Sequence, residues 1–114
     1  MDYKVELEKT LSEMETVFEK RINTTEAYLT QVNTYRDAKN ALEVKKAQGL
    51  LSGEIEGKNE ALREAVARSL LVLEYTRVEK LERLIEEMKI VLETSSMHYQ
   101  FLKDKYTILI ALSK

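Results

Sequence analysis

The stretch Gly49-Leu50-Leu51-Ser52-Gly53-Glu54-Ile55-Glu56-Gly57-Lys58-Asn59 holds all three glycines of a 114-residue chain that has no proline. Glycine and proline are the strongest punctuation a sequence has. With every such mark in one place, the chain has a single expected turn at about 49–58. Glycine tolerates the left-handed backbone that ends helices, and Asn59 offers a side-chain oxygen to the free N–H groups of a new helix. Glu60 and Glu64 then meet the positive end of the new helix dipole. The reading is that Gly57 closes the first helix and Asn59 opens the second. Helix 1 covers about 3–48, or runs on to 56 if Gly49 and Gly53 are absorbed. Helix 2 covers about 59–112.

Outward from the turn, apolar residues recur in steps of three and four. Before it the series is Leu7, Leu11, Met14, Phe18, Ile22, Tyr28, Val32, Tyr35 and Leu42. It is interrupted where Thr25 and Lys39 fall on seam positions and where Ile22 fills the slot of Arg21. After the turn the stripe is cleaner: Val78, Leu81, Ile85, Met88, Leu92, Ser95, Tyr99, Leu102, Tyr106 and Leu109, with flanking Leu84 and Val91. Both are helical, heptad-like patterns. Thr94-Ser95-Ser96 is the one weak point, where a break would create a third, C-terminal helix.

The fold class expected is all-α, a long antiparallel hairpin resembling a coiled coil. A helix of roughly fifty residues is about 75 Å long, and two joined by one short turn must lie side by side. One partner stripe covers each apolar face only in part, so two hairpins are expected to dimerise into a four-helix bundle, with the second stripe as the oligomer seam. A break at 94–96 gives a three-helix monomer instead.

Composition agrees, with 33% charged and 44% hydrophobic residues. Net charge is −2, which supplies no general pull toward nucleic acid or anionic lipid. The absence of cysteine excludes disulfides, thiolate metal sites and thiol catalysis. The N-terminus, Met1-Asp2-Tyr3-Lys4-Val5-Glu6, lacks an apolar signal core, and no apolar run approaches a membrane span. A soluble, cytoplasmic protein is expected.

Gly53-Glu54-Ile55-Glu56-Gly57-Lys58-Asn59 superficially suggests a phosphate loop. A P-loop needs four residues between its glycines and Ser or Thr after the lysine, whereas three residues and Asn59 stand here. His98, the only histidine, has Glu93 five residues before it, which is the wrong spacing for a bundle metal site. Glu82 with Glu86, and Glu13 with Glu19, read as solvated helix faces. Tyr28, Tyr35, Tyr99 and Tyr106 fall on the stripes and read as packing residues. Neither catalytic residues nor a cofactor or metal site is expected.

Around the turn gather Arg36, Lys39, Lys45, Lys46, Lys58, Arg63 and Arg68, interspersed with Glu43, Glu54, Glu56, Glu60 and Glu64. Lys45, Lys46, Lys58, Arg63 and Arg68 are the candidate contacts for an acidic partner or a phosphate backbone.

The run Glu56-Gly57-Lys58-Asn59-Glu60-Ala61-Leu62-Arg63-Glu64-Ala65 resembles a segment of small helical proteins of bacteriophages and prophages. The order of parts is similar too: a helix, a Gly-Lys-Asn turn followed by Arg, then a long helix rich in Glu and Leu. The resemblance covers about ten positions. It implies a helical fold and a phage or mobile-element origin, and carries over no catalytic residue.

The sequence thus points to a non-enzymatic protein-interaction module, a homodimer that also engages an unidentified protein partner as a phage accessory factor. The alternative is a nucleic-acid accessory protein using the basic residues near the turn. A third reading is a small-ligand binder in the bundle core.

Overall fold

The computed structural model describes residues 2–114. Among them the secondary structure is entirely helical: α1 (Tyr3–Ser52), α2 (Glu60–Leu70) and α3 (Val72–Ser113). The chain forms two compact units. The turn unit is Thr30–Glu86, and the terminal unit comprises the residues up to Leu29 with Glu87–Lys114. In each unit α1 runs antiparallel to α3, as the pairing of Lys45 with Glu74 and of Phe18 with Tyr99 requires.

The helix ends have identifiable causes. The Asp2 carboxylate accepts from the N–H groups of Lys4 and Val5, at 3.1 and 3.3 Å, and so caps α1. At the other end α1 stops at Ser52 because Gly53 takes φ +82. Gly57 is therefore not the residue that closes helix 1, and the expectation is corrected. Gly57 serves by having no side chain: a Cβ there would lie 2.8 Å from Leu62 Cβ and 3.0 Å from Arg63 N, in the first turn of α2. Gly49 lies inside α1, and its missing Cβ makes room for Ile55, whose Cδ1 would be 2.6 Å away. The Ile55 N–H donates back to the Gly49 carbonyl at 3.0 Å, folding the loop against α1. Asn59 caps α2, accepting from the Leu62 N–H at 2.9 Å.

Two further expectations are corrected. Helix 2 is not continuous over 59–112, because it breaks at Leu71 (φ −109, ψ 37). The Leu71 N–H still donates to Ala67, and its carbonyl accepts from Tyr75, so Leu71 ends one helix and starts the next. No break occurs at 94–96. There α3 runs through unchanged, since half-buried Ser95 keeps the three–four alternation of the seam intact.

The break at Leu71 lets α2 fold over the turn unit as a third wall. Leu42 of α1, Ile55 of the loop, Ala67 of α2 and Tyr75 of α3 form one buried cluster, flanked by Val66, Leu71 and Val78. Each large member contributes on the order of 1.5–3 kcal/mol by leaving water. Ala38 and Ile85 are buried in the same unit.

The terminal unit has two helices and no third wall. Leu102, Leu109 and Thr10 are buried, and the Thr10 hydroxyl donates to the Glu6 carbonyl at 2.8 Å, which satisfies it inside the helix. Phe18 packs against Tyr99 with ring centroids 6.2 Å apart. The Arg21 guanidinium sits 5.9 Å from the Tyr99 ring centre, and its buried Nε has no hydrogen-bond partner among the described residues.

The α1 seam differs from the expected one. Thr10 is buried, and Leu7, Met14, Val17, Arg21, Thr24 and Tyr28 are half-buried, whereas Leu11, Phe18 and Ile22 are 42–50% exposed. The inward face is set by the three–four spacing that meets α3, and it takes threonine and arginine where stronger hydrophobes stand one residue along.

Candidate interaction surfaces

The basic residues expected to meet a partner are brought together at the turn, but mostly to meet carboxylates of the same chain. Lys45 Nζ lies 2.6 Å from Glu74. Lys46 Nζ lies 3.1 Å from Glu64 and 3.9 Å from Glu43. Arg68 reaches Glu79 at 3.3 Å and Glu64 at 3.7 Å. The Arg63 guanidinium donates to the Gly57 carbonyl at 3.2 Å, which clasps the loop onto α2. Lys58 is exposed on the loop.

Tyr75 organises this cluster. Its hydroxyl donates to Glu64 Oε1 at 2.7 Å. Its ring lies under the Arg68 guanidinium, 4.7 Å from the centroid, and 5.7 Å from Lys46 Nζ. Burial and the Glu64 contact push the Tyr75 hydroxyl above its usual pKa. The Tyr75 hydrogen bond, then that of Lys46, hold Glu64 below the usual carboxylate value. The Lys45 contact does the same for Glu74. Burial pulls Lys46 down, but its contacts with Glu64 and Tyr75 leave it raised overall. These charges stitch α2 to α1 and α3. Tyr75 escaped the sequence reading, although it lies three residues before Val78 and so extends the α3 stripe backward.

Beside this network is a cleft of about 270 Å³ lined by Lys46, Leu50, Ile55, Arg63 and Glu64, among others. Lys46 and Glu64 already satisfy each other across it, and Arg63 is engaged with the loop. Among the described residues no group of three or more His, Cys, Asp or Glu side chains is arranged to hold a metal ion. No helix among them is long and apolar enough to cross a membrane.

The α3 stripe expected as an oligomer seam is used within the chain. In the turn unit Ile85 is buried and Val78 and Leu81 are half-buried. In the terminal unit Leu102 and Leu109 are buried, and Met88, Leu92, Tyr99 and Tyr106 are half-buried. In the turn unit Leu50, Leu51, Leu70, Val72 and Leu73 stay exposed around the turn and the α2–α3 break, and in the terminal unit the apolar surface left to solvent forms two stripes. On α1 it comprises Leu11, Phe18, Ile22 and Leu29; on α3 it comprises Ile90, Met97, Phe101, Ile108 and Leu112.

The two stripes lie on different faces of the helix pair. Val17 and Lys20 share a groove with Ile90, Val91, Ser95 and His98 along one edge of the helix pair. Phe18 is about 200° round the helix from Lys20, so it borders the opposite edge, where it packs on Tyr99. Leu11, Ile22 and Leu29 lie within about 40° of Phe18, and the α3 stripe lies on the Ile90 side.

Compared with protein-family models, curated proteins and solved structures, the chain matches none.

Proposed function

We propose that this chain is a protein-interaction module that works by helix-to-helix association through the terminal unit, with a second copy of itself as one partner. The observation that supports it is the double exposure of large apolar side chains at helical spacing, on α1 from Leu11 to Leu29 and on α3 from Ile90 to Leu112. Contiguous apolar patches beyond a few hundred Å² mark interaction sites on soluble monomers. In this reading the turn unit is the rigid part, locked by its own core and ion pairs, and the terminal unit is the adhesive part. A role as an accessory factor of a phage or mobile element is the biological setting that the turn resemblance suggests.

Sedimentation equilibrium tests the reading. Dimers or larger species are expected across micromolar concentrations. A monomer throughout that range would remove self-association from the proposal.

The nucleic-acid alternative loses support from the ion pairs. Lys45, Lys46 and Arg68 are neutralised by Glu74, Glu64, Glu43 and Glu79, so binding phosphates through them would first cost those contacts. It leaves Lys58 and Arg63, too few for a strongly salt-dependent interface.

A further inference from the structure

The outer face of α3 carries a second heptad-like series beside the seam that meets α1. Its positions are Ile90, Thr94, Met97, Phe101, Asp104, Ile108 and Ala111, alternating by four and three, with Val91 and Leu112 on its border. All nine are exposed. Such spacing is what a second helix needs in order to interdigitate. Ile90, Val91, Met97, Phe101, Ile108 and Leu112 are 42–74% exposed. With about 200 Å² for a large side chain fully open to solvent, they present roughly 700 Å² per copy, close to the ~800 Å² per partner of a stable interface.

From this we infer that a second copy of the chain docks on the α3 face centred on Phe101, antiparallel and about a twofold axis. The inference rests on the self-association proposed above and names its surface and direction. Three observations select it. The series maps onto itself: when Phe101 faces Phe101 of the second copy, Ile90 faces Ala111, Thr94 faces Ile108 and Met97 faces Asp104, the one place where a carboxylate meets an apolar side chain. Its only charge at a series position is Asp104, whose carboxylate already accepts from Gln100 Nε2 at 2.9 Å. A parallel arrangement would set Asp104 against Asp104, whereas the antiparallel one separates the two.

The α1 stripe is the weaker candidate for the same contact. Glu15 stands in line with it, and Glu8, Glu19 and Glu26 border it. Antiparallel self-pairing about Ile22 would bring Glu19 toward Glu26 of the second copy, which is repulsive.

The chain has no cysteine, so single introduced thiols report the geometry directly. A disulfide forms only where Cα atoms come within about 7 Å. Under mild oxidation Phe101→Cys is expected to link to itself at least tenfold faster than Ile22→Cys. A mixture of Ile90→Cys and Ala111→Cys chains is expected to cross-link to each other in preference to themselves. Faster self-linkage of Ile22→Cys overturns the choice of surface, and preferential self-linkage of Ile90→Cys overturns the antiparallel register. Both results leave self-association standing. Phe101→Glu places a charge at an exposed position, so helical circular dichroism is expected to persist while association weakens at least tenfold. A Phe101→Glu chain that associates like the parent also overturns the inference. A parent chain that is monomeric overturns both this inference and the self-association on which it rests.

Discussion

The turn unit and the terminal unit are built from the same two long helices, yet they solve the burial problem differently. In the turn unit a third helix closes over the pair, so Leu42, Ile55, Ala67 and Tyr75 share one enclosed core, and three ion pairs between helices, Lys45–Glu74, Lys46–Glu64 and Arg68–Glu79, tie the pieces together. In the terminal unit nothing closes over the pair: Leu102 and Leu109 are buried between the helices, while Phe18, Ile90, Met97, Phe101 and Ile108 stay outside. Two helices offer each other one face each. Side chains on the remaining arc find shelter only from a third element, whether inside the chain or beyond it. The unit that supplies its own third helix encloses a core of its own, and the one that does not is where association is expected.

The largest way to break this contrast is to remove the loop's contribution to the turn core. Ile55→Ala takes a 3%-exposed side chain out of the cluster, at a cost of about 3 kcal/mol. Amides of α2 should then exchange with solvent roughly a hundredfold faster, with those around Leu102 unaffected. Equal acceleration in both units would show that they unfold as one, and the contrast would lose its energetic meaning.

A smaller effect sharpens the other side. Arg21 occupies an inward position in the terminal unit, and its Nε is buried without a partner. Arg21→Met relieves that cost and gives up a modest attraction to the Tyr99 ring. The chain should gain about 1 kcal/mol in urea unfolding. A loss of stability would mean that the guanidinium supports the seam and is tolerated for that reason.

The smallest effect concerns pH. Glu64 and Glu74 have depressed pKa values, so their contribution is present above the ordinary carboxylate value and lost as pH falls through the folded value. Lys46 and Tyr75 are raised, so theirs is present at neutral pH and lost only as pH rises through their folded values. Acid should therefore weaken the turn unit, modestly, because these groups are partly solvated and screened by salt. Urea unfolding at neutral and acid pH should show a smaller acid loss in Glu64→Gln than in the parent. Identical losses would detach Glu64 from the acid response.

Much of α3 and of the turn was legible in the sequence. The stripe from Val78 to Leu109 matches the inward face of α3 because nothing competes with it there: its apolar residues and its spacing agree. Asn59 was readable as a cap for the same local reason. In α1 two apolar phases run side by side, and hydrophobicity favours Leu11, Phe18 and Ile22 over Thr10, Val17, Arg21 and Thr24. Only the register against α3 decides between them, and that is tertiary information. The break at Leu71 has no glycine or proline to announce it. It lies in Leu70-Leu71-Val72-Leu73, where apolar residues surround the helix and no single face is defined. The basic cluster was legible, but its ion pairs were not, since sequence shows which charges are near in the chain and not which carboxylates α2 brings across. Tyr75 was missed although its spacing from Val78 fits the stripe; what sequence does not show is that Glu64, Lys46 and Arg68 gather on it.

The buried loop residue has a practical consequence. Connections between helices are usually where proteases cut and where inserted sequences are tolerated. Here Ile55 anchors the connection in the core, and Gly49 and Gly57 leave no room for larger side chains beside it. A cleavage site, an epitope tag or new chain ends placed between Gly53 and Asn59 would therefore pull a piece out of the turn unit's interior, even though most of that connection lies at the surface.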